Sequence, residues 1–118
     1  MDLLPITAEV TAYDAHCAAC GTTGRTASGR LTAQHPYGLA ASPGLPFGAW
    51  VIIPAGHGLL DNARAFDRSF QVDDRGGAVT REALESGILR IDLRVLTHAA
   101  ARRIGRQRIT VYLVRNHP

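Results

Sequence analysis

Between Ile88 and Val95, Leu89, Ile91, Leu93 and Val95 take every second position, with Arg90, Asp92 and Arg94 between them. A helix returns its apolar stripe every 3.6 residues, so a strict period of two dictates a strand with one face on a core. Asp92 then sits on the face opposite that core, between two arginines, as a solvated surface group or as the floor of a polar cleft. The same alternation recurs in Ile6, Ala8, Val10 and Ala12, and again in Ile109, Val111 and Leu113 of a strand over Gln107 to Val114. Gly38 to Ser42, Ala49 to Ile53 (stopped by Pro54) and Ser69 to Asp73 complete a set of short strands separated by turn residues. Thr80 to Ser86 and His98 to Ile104 read as two short helices, capped by Thr80 and Thr97 and ended by Gly87 and Gly105. Asp14 to Gln34 and Gly56 to Arg68 read as loops.

Six short strands with two short helices and no alternating βαβ rhythm predict an all-β fold, a small closed barrel. At 118 residues the chain is long enough for one domain, residues 1–118, with a modest core. No linker, internal repeat or low-complexity tract divides it. No apolar run approaches the roughly 20 residues that span a bilayer, so no membrane insertion is expected. Met1 to Pro5 carries neither a basic region nor a long apolar stretch, so no signal peptide is expected in this chain.

All 13 basic residues are arginines, and seven lie between Arg90 and Arg115, a pattern that suits an anionic polymer or a carboxylate-bearing glycan. The seven aromatics are scattered rather than clustered for base stacking, which argues against nucleic acid. Cys17 and Cys20, with Asp14 and His16, fall within seven consecutive residues and lack a second pair of ligands. A local disulfide or two free thiols fits that spacing better than zinc, and neither metal nor cofactor is expected.

Several motifs follow one another in a recognisable order. They are Thr11-Ala12-Tyr13, Gly24-Arg25-Thr26-Ala27-Ser28-Gly29, Gly38-Leu39-Ala40-Ala41-Ser42-Pro43 and Leu45-Pro46-Phe47-Gly48, then Asp74-Arg75-Gly76-Gly77-Ala78-Val79, Ile91-Asp92-Leu93, His98 and Gly105-Arg106. Together they resemble the three-aspartate (3D) domain, a double-psi β-barrel of membrane-bound lytic transglycosylase A and of secreted or phage-borne murein hydrolases. The resemblance runs from Thr11 to Val114 and implies a six-stranded double-psi barrel. It also implies peptidoglycan as substrate and a virion tail or the bacterial periplasm as the place of action.

On this resemblance the second family aspartate falls on Asp74 and the third on Asp92, while Ser42 holds the place of the first. The gap between Asp74 and Asp92 is also longer than in the family, filled by the segment Thr80 to Ser86. A lytic transglycosylase needs an acid that protonates the glycosidic oxygen and then, as carboxylate, deprotonates the muramyl C6 hydroxyl. Asp92 is the implied acid/base and Asp74 its support, since two adjacent carboxylates raise each other's proton affinity. Arg90 and Arg94 on the same face would oppose that, or would bind carboxylates of the muramyl peptide.

Tyr13, Thr26, Ser28, Gly76, Gly77 and His98 are the candidate substrate-binding residues. Each also has a plain structural role: barrel packing for Tyr13, loop hydrogen bonding for Thr26 and Ser28, a tight turn for the diglycine, a helix surface for His98. Asp14 is a candidate auxiliary carboxylate in place of the missing one. The leading expectation is a murein-cleaving barrel. The rival is a non-catalytic barrel that binds glycan or fills a place in a phage tail or cell-envelope assembly.

Overall fold

A computed structural model describes residues 2–14, 24–35, 37–54, 68–76, 79, 81 and 85–115. Its strands are β1 (Asp2–Asp14), β2 (Gly38–Ala41), β3 (Trp50–Ile53), β4 (Arg68–Asp74), β5 (Leu89–Val95) and β6 (Gln107–Arg115). They close into a barrel in the order β1-β5-β2-β4-β3-β6. The all-β barrel expected from the alternation is therefore present.

The first strand begins at Asp2, four residues before the predicted start. Leu3 and Leu4 are exposed and give no alternation to read. Pairing with β6 out to Arg115 is what extends it. The helix α1 (His98–Ile104) forms where predicted. Thr97 Oγ1 accepts from Ala100 N at 3.0 Å, and Gly105, at φ 60°, returns its N–H to Ala101 O. Of the other predicted helix, Arg81, Glu85 and Ser86 are helical, as is Val79 just before it, and the remainder lies outside the described residues. So do 15–23 with Cys17 and Cys20, most of the predicted loop after Pro54, and Gly77.

The pairing holds a regularity that the sequence does not display. β1 with β5 and β2 with β4 are parallel, and the other four pairs are antiparallel. Exchanging β1 with β4, β2 with β5 and β3 with β6 maps every pair onto a pair of the same sense. Two three-stranded halves thus interlock, although no sequence repeat marks them. Inside, Val10, Leu39, Ile53, Ile91, Leu93 and Val111 are almost fully buried. Each such side chain contributes about 1.5–3 kcal/mol on leaving water.

A bulge in β4 positions the polar groups. Leu39 pairs with Val72, but its successor Ala40 pairs with Asp74, so Asp73 is an extra residue. Inserting one residue breaks the alternation and turns two consecutive carboxylates to the outer side of the sheet. Asp73 then lies against Gly38 and Asp74 beside Ala40.

Gly38 is required there by space. A Cβ on it would stand 2.5 Å from Arg94 Nη2 and 2.7 and 2.8 Å from the two Asp73 carboxylate oxygens. Those atoms are locked to one another and cannot give way cheaply. Gly38→Ala should cost at least about 1–3 kcal/mol, as overpacking does, read as a lower urea midpoint; an unchanged midpoint would contradict the close packing.

Candidate active site

Asp92 and Asp74 stand on either side of Ala40, one on each neighbouring strand. Strands are spaced by about 4.8 Å, so the two Cα atoms lie roughly 10 Å apart across β2. Ala40 is buried at 3% exposure yet faces away from the core, because its partner Asp92 does. A methyl group is thus the floor between two carboxylates.

Asp92 is partly buried, and Thr11, its β1 neighbour, donates to Oδ1 at 3.0 Å. Burial pushes the carboxyl up to about 6; the Thr11 hydrogen bond and the Arg90 charge oppose the rise, and the Asp74 charge adds to it. Asp74 is held differently. Tyr13 OH donates to its Oδ2 at 2.8 Å, and Ala27 N and Arg75 N donate to Oδ1 at 2.8 and 2.9 Å. Three donors fixed on one carboxylate suit an acceptor that stays put, while Asp92 suits a proton carrier.

Behind Asp74 lies a buried ion pair with partly exposed partners. Arg94, at 0% exposure, makes a bidentate pair with Asp73, Nη1 to Oδ1 at 2.8 Å and Nη2 to Oδ2 at 2.7 Å. Its remaining donors reach Tyr13 OH, His35 O and Tyr37 O. Burial works against this charge, but the hydrogen bonds it donates to Asp73 and Tyr13 outweigh it and hold the guanidinium above its ordinary range. Burial likewise raises the Tyr13 phenol, against the pull of Arg94 and with the help of Asp74. The phenol therefore remains a donor and links the ion pair to Asp74.

Arg90 and Arg94 were expected on the face of Asp92, either opposing its proton affinity or binding carboxylates of a ligand, and the second role is corrected. The outer face of β4 and β5 is roofed by residues 24–35, through Ala27 N on Asp74, Ser28 N on Asp73 O and His35 O on Arg94. Arg94 is spent on Asp73. Arg90, 5% exposed, lies 3.5 Å from Glu9, which also meets Arg106 and Arg108. Neither arginine is presented to a ligand. Of the two, only Arg90 acts on Asp92.

Tyr13 joins the site through its hydroxyl rather than as an exposed ring. Thr26 is buried and occupied by Ser28 Oγ and Arg30 N, whereas Ser28 is exposed beside Asp73. Gly76 lies two residues past Asp74 with a φ outside the left-handed region, so no positive-φ turn demands it. His98 is exposed in the first turn of α1 and makes no hydrogen bond with Asp92. Asp14 shares the face of its partner Val95, opposite to that of Asp92. Ser42 stands just past β2, its carbonyl closing a turn with Leu45 N at 3.0 Å. Among the described residues no group of His, Cys, Asp or Glu could hold a metal ion, and no helix is long and apolar enough to cross a membrane.

No family model and no curated protein matches this chain.

A carboxyl raised to about 6 destabilises the fold once ionised. Folding favours its protonated form, so the stability it contributes is complete below the ordinary carboxylate range and is lost as pH rises through about 6. Asp92→Asn cannot ionise and keeps an acceptor for Thr11. It should be more stable than the parent at pH 8, by on the order of 2–3 kcal/mol, and lose that advantage by pH 4. Thermal melting at the two pH values reads the difference, and an equal gain at both would rule out ionisation as its source.

Proposed function

We propose that this barrel cleaves the glycan strands of peptidoglycan as a lytic transglycosylase, with Asp92 as acid/base and Asp74 in support. The observation that carries the reading is Asp92 itself. Its carboxyl is partly buried, raised to about 6, and paired across Ala40 with a second carboxylate that three donors hold in place. A group that gives up and regains a proton near neutral pH is what protonating a glycosidic oxygen and then deprotonating a hydroxyl requires. The ordered motifs from Thr11 to Val114 supply the substrate class. Action in a phage virion tail or at the bacterial cell wall belongs to the same reading.

The rival reading, a barrel that binds glycan or serves a tail or envelope assembly without cutting, draws on Ser42, which brings no carboxylate to the end of β2. Incubation with purified sacculi separates the two. Soluble anhydromuramyl products in mass spectra, lost in Asp92→Asn, support the enzyme. Sacculi left intact with protein bound support the rival, and hydrolysed reducing ends would keep an enzyme but reject the transglycosylase.

A further inference from the structure

Four arginines surround the carboxylate pair, and three are committed to acids of the chain. Arg94 and Arg30 meet Asp73, and Arg90 meets Glu9. Arg75 alone of the four makes no ion pair among the described residues. It is nonetheless fixed. Its guanidinium lies 4.1 Å over the centre of the Phe47 ring, and Nη1 reaches Ala41 O at 3.4 Å and Asp74 O at 3.3 Å. Phe47 is 45% exposed, so this stacked pair stands at the surface.

The position follows from the register. Ala41 is next to Ala40, the residue between Asp74 and Asp92, so the guanidinium lies at the end of β2 beside the same two carboxylates. Its backbone N–H holds Asp74 while its side chain offers charge outward. Two carboxylates would repel an anionic ligand, and a cation at their rim reverses that locally. A planar guanidinium already ordered by an aromatic face loses little freedom on taking a carboxylate in two parallel hydrogen bonds.

We propose that Arg75, stacked on Phe47, is a carboxylate-binding subsite beside the Asp74–Asp92 pair. Resting on the glycan reading, it names the part of the substrate recognised: a free carboxylate on the strand, as the lactyl group of muramic acid presents where its stem peptide has been removed. Neutral N-acetylglucosamine chains, with nothing to engage Arg75, are poorer ligands.

The test reads binding and is independent of cleavage. N-acetylmuramic acid and its methyl ester are titrated into the full chain and into Arg75→Gln and Arg75→Lys, followed by NMR shifts of the Ala40, Ala41 and Arg75 amides. The parent should prefer the acid by roughly tenfold. Arg75→Gln should lose that preference while still unfolding in one cooperative transition, and Arg75→Lys should keep only part of it. An equal preference in Arg75→Gln, or binding of neither sugar at these amides, overturns the subsite. Sacculus cleavage that survives such a result leaves the enzyme reading standing, while selective acid binding without cleavage keeps the subsite and sinks the enzyme.

Discussion

Removing either partner of the Arg94–Asp73 pair should destabilise the barrel more than any change at its surface. Arg94→Met leaves the Asp73 carboxylate buried at 2% exposure with only Arg30, 3.5 Å away, to answer it. It also strips His35 O and Tyr37 O of their donors. Asp73→Ala leaves a guanidinium at 0% exposure without a counter-charge. An uncompensated buried charge costs about 3–5 kcal/mol, a large share of the 5–15 kcal/mol that holds a small domain together. Urea unfolding should show that loss for each single variant. The double variant Arg94→Met, Asp73→Leu should be less damaged than the sum, because neither charge remains to be stranded. Strict additivity would mean that the two groups do not depend on each other. Arg94→Lys should fail as well, since one ammonium cannot replace a fork that binds two carboxylate oxygens, Tyr13 and two carbonyls.

That network marks the limit of what the sequence made legible. Alternation in Leu89 to Val95 and Gln107 to Val114 identified the strands, because one buried face fixes a period of two whatever the partners are. The same rule placed Arg90 and Arg94 with Asp92 on the face away from the core, solvated or in a polar cleft. It goes no further because it reports only which side faces the core, and residues 24–35, with no periodicity of their own, form a second layer over the other side. The carboxylate doublet was invisible for another reason. Phe70 and Val72 face the core, so alternation turns Asp73 outward, and a bulge in the pairing of β4 with β2, between segments more than 30 residues apart, turns Asp74 the same way. The doublet Asp73-Asp74 at a strand end, with an arginine two residues past Asp92, was the one available signal. The two-fold exchange of strands is likewise a property of pairing, which leaves no mark on residue identity. Asp92 and Asp74 were found because two in-register motifs named them. Their closeness rests on Ala40, whose small side chain gave no hint by itself.

The largest functional effect is expected at Asp92. On the proposed reading, Asp92→Asn should lower kcat/KM on peptidoglycan by roughly 10²–10⁴, the usual contribution of a positioned acid, with little change in glycan binding. The parent's pH profile carries the sharper test. If Asp92 must arrive protonated to donate to the leaving oxygen, kcat/KM falls as pH rises through about 6 and then drops tenfold per pH unit. Asp74→Asn should move that limb to lower pH, because the Asp74 charge is one of the terms holding the Asp92 proton in place. A limb that rises through the same pH would make Asp92 a base from the outset and point to an attacking water rather than ring closure. A profile unmoved by Asp74→Asn would mean that the two carboxylates, though they flank one alanine, do not share the work of holding a proton.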